Sequence, residues 1–406
     1  MRLTAKLSEI TTVFADWDWI ESKDQSSKWI RLIQTWNVWM WNFKDRWDKA
    51  RYISEETFDR LNCTEIFPND CLVSRLPDPV WRSCLIPELP DRLITAVDCT
   101  IIRFKDTIEP KFFVYYSQSN QYQRDVDILC TWATRKRISR KSLWTIEIPL
   151  PPLETQKAIV AKLDQIFAEL DQTKSEIQKN LDNTDELWKS ALNQAFQGDW
   201  EIVKLWELAD LQNGYAFKSD DYIEHSKTLN FRMSNIRPWW IVDIEYNKKF
   251  LPDEYAEIYK EFLLKNWDVV IAMTDMATSP KILAVPCIVN TWWYNVLLNQ
   301  RVWKFFNVDE TRIRKDFLWA VLSNSKIREW LASLWWWGLQ INISKKQILD
   351  LKIPVPPLSE QEKIVEHLDR VSKEVKALKS QYQSQLDNLE ELKKSVLDKA
   401  FRWEMG

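Results

Sequence analysis

The sequence predicts an α+β fold built twice, as two similar globular domains that alternate with two long helices. Three observations predict it. A stretch of about 60 residues recurs, without a gap, 205 positions further along the chain. Within both copies of that stretch, apolar residues fall at 3- and 4-residue steps, the spacing of one helix face. The regions ahead of them also match each other, more weakly and at an offset of 198, and carry short β-branched runs between short helical patterns. The resulting boundaries are 1–146 and 200–351 for the globular domains and 147–199 and 352–406 for the helical segments.

In the globular domains Arg31-Leu32-Ile33, Cys99–Phe104 and Asp268–Ile271 read as strands, and Lys315–Ser325 and Lys326–Ser333 as short helices. Their order lacks a regular βαβ alternation, hence α+β. Leu7 and Glu9 meet Leu205 and Glu207 in the repeat, Asn37-Val38 meets Asn235-Ile236, and Tyr52–Glu56 meets Phe250–Glu254. Asn69-Asp70 meets Trp267-Asp268, each pair followed by an apolar run.

The helical segments match best. ISRKSLWTIEIPLPPLETQKAIVAKLD begins at Ile138, and ISKKQILDLKIPVPPLSEQEKIVEHLD begins at Ile343. Pro152 and Pro357 sit just ahead of each helix, where proline is tolerated. Ser359 and Glu362 have capping-box spacing, and Glu154 supplies a first-turn acid in the other copy. A heptad-like seam follows at Ile159, Leu163, Ile166, Leu170, Ile177 and Leu181. Its partner runs through Leu368, Val371, Val375, Leu378, Tyr382 and Leu389. Each helix should span about 40 residues, or about 60 Å, and neither can bury its stripe alone, so the two should pack on each other. A coiled coil that joins unrelated domains, or that dimerises between chains, is the competing reading; duplication of the globular parts argues against it.

Composition excludes several function classes. The 406 residues carry a net charge of -3, so any nucleic-acid surface has to be local. No apolar run approaches a membrane span, and MRLTAKLSEITTVFADWDW lacks the apolar core of a secretory signal. The six cysteines are scattered without a C-x-x-C pair, which fits a reducing cytoplasm better than a disulfide framework or a zinc ribbon. With only His225 and His367, histidine catalysis or metal binding is nearly excluded.

One number is abnormal: 25 Trp against 4 Gly. Average usage puts glycine near 7%, or about 28 residues in a chain of this length. Tryptophan stands where turns favour glycine, in Asn37-Val38-Trp39-Met40-Trp41-Asn42, Asn266-Trp267-Asp268 and Trp335-Trp336-Trp337-Gly338. The repeat also sets Gly198 against Trp403. The expectation is that most of these tryptophans mark glycine positions; the alternative is a truly Trp-rich surface. Backbone dihedrals at Trp39, Trp267 and Trp336 decide between them, because indole at positive φ is strained.

A Pro-Pro-Leu-x-x-Gln segment opening a long helix, present twice and each time after about 150 globular residues, resembles the specificity subunit of type I restriction–modification enzymes. LPPLETQKAIVAKLD and VPPLSEQEKIVEHLD carry the resemblance, with Leu181-Asp182-Asn183 and Leu386-Asp387-Asn388. Leu7-Ser8-Glu9-Ile10 and Leu205-Trp206-Glu207-Leu208 look like the family's Leu-Gly-Glu-Ile opening, and Asn69-Asp70 and Lys265–Asp268 like its Gly-Asp turn. The resemblance covers essentially the whole chain. It implies that each globular domain is a target-recognition domain reading one half of a split double-stranded DNA site. It further implies that the helices pack as an antiparallel coiled coil, set the unread spacer and dock two methyltransferase subunits, with restriction subunits joining the full complex. S-adenosylmethionine, ATP and Mg²⁺ would be bound by those partners, and this prokaryotic chain would bind none and catalyse nothing.

Candidate DNA contacts cluster just before the first helix at Arg135, Lys136, Arg137, Arg140 and Lys141, with Gln340, Asn342, Lys345 and Lys346 in the second copy. Lys and Arg suit phosphates, while Arg, Gln and Asn suit base edges; a solvated charged hinge is the plain alternative. Secondary candidates are Gln34, Asn37 and Arg75 in the first domain and Arg232, Asn235, Thr274 and Lys281 in the second, each otherwise an ordinary turn or surface residue. Gln34 against Arg232 and Arg75 against Met273 predict different half-sites, hence an asymmetric site. Pro90-Asp91 with Glu109-Pro110-Lys111 formally matches a metal-nuclease pattern but is absent from the second copy. Neither a Walker A loop nor an Asn-Pro-Pro-aromatic methyltransferase motif occurs. The competing function is a structural coiled-coil adaptor that reads no DNA.

Overall fold

The computed structural model describes residues 4–16, 20–77, 79–132, 135–237, 241–276, 282–333 and 340–402. The chain divides into two compact units, residues 1–177 with 384–406, and residues 178–383. Each unit therefore holds one globular domain, one half of the first long helix (Leu153–Ala195) and one half of the second (Leu358–Phe401).

In the first unit an antiparallel sheet orders Thr11–Ala15, Cys99–Phe104, Cys71–Ser74 and Ser83–Leu85. A mixed sheet orders Gln25–Ser26, Arg51–Ile53, Ile30–Ile33 and Arg92–Thr95, the last two parallel. The second unit repeats both. Asp210–Asn213, Val302–Phe306, Val269–Ala272 and Pro286–Ile288 form the antiparallel sheet. Phe250–Leu251, Thr228–Phe231, Asn295–Leu298 and Leu263–Leu264 form the mixed one, with its central pair parallel. The strands expected at 31–33, 99–104 and 268–271 are observed as Ile30–Ile33, Cys99–Phe104 and Val269–Ala272. The two short helices are Lys315–Leu322 and Ser325–Ser333.

The long helices have 43 and 44 residues. Within the first unit Asp171 meets Lys393 at 3.3 Å and Lys174 meets Glu390 at 2.5 Å, so numbers rise on one helix as they fall on the other. Asp185 meets Lys379 in the second unit. That is the Lys174–Glu390 pair carried through the repeat, and it marks antiparallel register in both units. The exposed Lys174–Glu390 pair contributes little energy; burial does the holding. Val160, Leu163 and Phe167 pack with Leu397, Ala400 and Phe401 in the first unit, and Trp188 and Leu192 share a core with Leu368 and Val375 in the second.

One expectation changes. The second helix begins at Leu358, so Ser359 lies inside its first turn instead of capping it. Leu163, Leu368 and Val375 of the expected seam are buried inside their own units. Ile159, Ile166, Leu170 and Val371 pack partly buried against the same cores.

The Pro-Pro-Leu-x-x-Gln motif has a physical reason. Gln156 is fully buried; its Nε2 donates to the carbonyls of Thr107 (3.0 Å) and Pro151 (2.8 Å), and its Oε1 accepts from Glu109 N–H (2.9 Å). Gln361 does the same, donating to Arg312 (2.7 Å) and Pro356 (2.8 Å) and accepting from Arg314 N–H (2.9 Å). One amide thereby joins helix start and globular domain, satisfying backbone groups that are costly to bury unpaired.

Among the described residues, nine non-glycine residues have positive φ, and four of them are tryptophans: Trp29, Trp41, Trp267 and Trp292. Trp267 is as expected, Trp39 is not among them, and Trp336 lies outside the described residues.

Candidate nucleic-acid interface

Each unit carries a two-stranded ribbon that runs into a short serine-capped helix, and this is where the sequence candidates gather. In the first unit Cys130–Trp132 pairs antiparallel with Lys136–Ile138. Ser139 then accepts from Ser142 N–H and starts the helix Arg140–Trp144. In the second unit Thr274–Met276 pairs antiparallel with Gln340–Asn342, and Ser344 caps the helix Lys345–Leu349 by accepting from Gln347 N–H. Ribbon and helix thus bring Arg135, Lys136, Arg137, Arg140 and Lys141 together in one unit, and Gln340, Asn342, Lys345, Lys346 and Thr274 in the other.

Most of the first cluster is balanced by acids. Lys136 pairs with Asp127 at 2.6 Å, Arg137 with Asp98 at 2.7 Å and Arg140 with Asp16 at 3.0 Å. Arg135 and Lys141 are exposed and join no ion pair among the described residues. In the second unit Lys345 pairs with Asp210 at 2.6 Å and Lys346 is exposed.

Arg75 has another place than expected. It is 3% exposed, pairs with Asp16 at 2.5 Å, and donates to the carbonyls of Val97 and Ile138, the latter at 3.4 Å. It anchors the ribbon from beneath and is no free reading group. Burial pushes the Asp16 carboxyl above the usual aspartate value, against the opposing pull of Arg75, Arg140 and Arg137. At the second ribbon Met273 stands where the first has Arg75, and its carbonyl accepts from Ile343 N–H at 2.9 Å. Lys345 holds Asp210 below the usual aspartate range, chiefly through their hydrogen bond.

Asn37 and Asn235 are also corrected: both are buried turn pins. Asn37 Oδ1 accepts from Gln34 N–H at 3.0 Å and its Nδ2 donates to Lys44 at 2.8 Å. Asn235 Oδ1 accepts from Arg232 N–H at 2.9 Å and its Nδ2 donates to Asp243 and Tyr246, each at 3.0 Å. Gln34 and Arg232 flank these turns; Arg232 donates to Asn247 at 2.7 Å. Lys281 lies outside the described residues. The nuclease-like pattern is engaged elsewhere, Asp91 with Arg31 at 3.7 Å and Lys111 with Asp164 at 2.7 Å. Asp16 and Asp98, which place Arg140 and Arg137, escape sequence reasoning because only the tertiary fold brings them to the ribbon.

Comparison with known proteins supplies a family. The model of the type I restriction modification DNA specificity domain matches residues 59–183 and 197–388. The specificity subunit of the type I restriction enzyme MjaVIII of Methanocaldococcus jannaschii is 27% identical over 64% of this chain. That match spans 62% of the relative's length, less than two thirds. A solved structure described as the structural basis of complex assembly and conformational transition of the type I R-M system superposes with a TM-score of 0.74. It is 18% identical and covers 98% of this chain and 97% of the other. The HsdS subunit of Thermoanaerobacter tengcongensis gives 0.56 at 18% identity, over 98% and 96% of the two chains.

Proposed function

Since the chain belongs to the type I restriction–modification DNA specificity family, we propose that its two globular domains each read one half of a bipartite DNA site through the ribbon and capped helix. Arg135, Arg137 and Arg140 in the first unit, and Gln340, Asn342, Lys345 and Lys346 in the second, would contact phosphates and base edges. The paired helices would set the unread spacer and dock two methyltransferase subunits through their exposed faces, and restriction subunits would complete the assembly. S-adenosylmethionine, ATP and Mg²⁺ would be held by those partners, with no chemistry on this chain.

One observation supports the reading best: the same strand and serine-capped helix recur, Lys136–Ile138 with Arg140–Trp144 and Gln340–Asn342 with Lys345–Leu349, carrying different side chains at equivalent places, Arg137 against Asn342 and Arg140 against Lys345, while the strand paired with each comes from a different part of its unit. A frame kept while its polar face varies suits two heads that read different sequences, so the site should be asymmetric. The test is co-expression with the cognate methyltransferase subunit and sequencing for methyladenine. A bipartite asymmetric site is expected, and replacing the second globular domain by the first should make its halves alike. Methylation that ignores the exchange, or no site-specific methylation, rules the reading out in favour of an adaptor.

A further inference from the structure

We propose that glycine stands at positions 29, 267 and 292 of the protein as its own host makes it, the codons behind Trp29, Trp267 and Trp292 being translated there as glycine. The backbone makes the case. Trp267 has φ 70° at the third position of the turn Lys265–Asp268, which Asp268 N–H closes on the Lys265 carbonyl at 3.1 Å. A turn with positive φ at that position calls for glycine or asparagine. The first unit obeys: its equivalent turn, Phe67–Asp70, has Asn69 there with φ 68°. Trp292 has φ 53° at the second position of Thr291–Tyr294, closed by Tyr294 N–H on Thr291 at 3.0 Å, the geometry of hairpin turns built on glycine. Trp29 has φ 108°, beyond the small left-handed basin that residues with a Cβ enter.

Side-chain placement agrees. The three indoles are 59%, 65% and 64% exposed, so large apolar rings sit in water on strained turns. Trp188 is the contrast: 5% exposed, inside the first long helix and packed in the core of the second unit. It is a tryptophan by every physical criterion. Trp41 also has positive φ, but its ring stacks on Phe167 and lies under Lys393, so it stays outside the proposal. The totals fit as well, because 25 Trp and 4 Gly together come to the glycine complement of an ordinary chain. UGA is one base away from both the UGG of tryptophan and the GGA of glycine. A UGA triplet decoded as glycine would convert some tryptophans and leave others such as Trp188, encoded by UGG.

Peptide mass spectrometry of the protein isolated from its own cells tests this directly. Peptides spanning positions 29, 267 and 292 should carry glycine, and the peptide spanning 188 tryptophan. Tryptophan at 267 or 292 overturns the proposal. A second arm compares two recombinant chains that differ only in Trp29→Gly, Trp267→Gly and Trp292→Gly. The glycine chain should melt about 10 °C higher, or fold where the other does not, because three strained positions relax. An equal or lower midpoint overturns it, while Trp188→Gly should lower the midpoint in either background.

Discussion

The two units share a frame and differ in what fills it. Arg31 is fully buried in the mixed sheet of the first, between Asp45 and Asp91, and Leu229 holds the equivalent place in the second. Arg75 is buried against the first ribbon, and Met273 is buried at the start of the other. The same backbone thus accepts either a charged network or an apolar side chain at two interior positions. A buried ion pair is therefore not required by this fold. It costs desolvation that an apolar residue avoids, and becomes indispensable only once its partner acid is present.

The largest effect should come from removing one half of such a network. Arg75→Met leaves Asp16 without its nearest cation and should cost about 3–5 kcal/mol in chemical denaturation. Adding Asp16→Asn should recover more than half of that loss. Met273→Leu at the matching position of the second unit should cost less than about 1.5 kcal/mol. If Arg75→Met is equally mild, the first ribbon is not anchored as described.

Next come the shared parts, where the units should respond alike. Gln156→Leu and Gln361→Leu each strip three hydrogen bonds from buried backbone groups and should each cost about 2–3 kcal/mol. Loss of cooperativity confined to one unit, read by amide hydrogen exchange, would show that the two joints are unequal.

The smallest effect is electrostatic and sharpens the difference between the ribbons. The Asp210 carboxyl is held low by Lys345, so the pair contributes stability above the ordinary aspartate value of 3.8, lost as pH falls through the depressed one. Asp16 runs the other way: its raised carboxyl costs stability near neutrality, and that cost fades as pH falls toward 3.8. The thermal deficit of Asp210→Asn should be present at about pH 6 and gone at about pH 2. A deficit that persists in acid would mean Asp210 acts by packing.

Much of this was legible in the sequence, for identifiable reasons. Duplication is visible wherever side chains meet the same backbone demand, as with Gln156 and Gln361 or Asp70 and Asp268. Strand runs such as Cys99–Phe104 showed through β-branched composition. The roles of Asn37, Asn235 and Arg75 did not, because turn pins and buried arginines share their residue types with exposed DNA-binding groups. Pairing of Thr274–Met276 with Gln340–Asn342 was equally hidden, since local pattern does not reveal register across so long a separation. The helix seam was read in part: Val160, Phe167, Trp188 and Leu192 are buried but fall outside it, because each helix half also packs on its own globular domain.

Across the joint, the glutamine at each helix start hydrogen-bonds only to main-chain atoms of the globular domain, the carbonyl of residue 107 and amide of 109 in one unit, and those of 312 and 314 in the other. Such a joint is blind to the amino acids on its far side. Any insert that delivers one carbonyl and one amide to that spot could be grafted onto the helix without redesigning the connection. Whole globular domains could then be exchanged while the helices and their joints stay as they are.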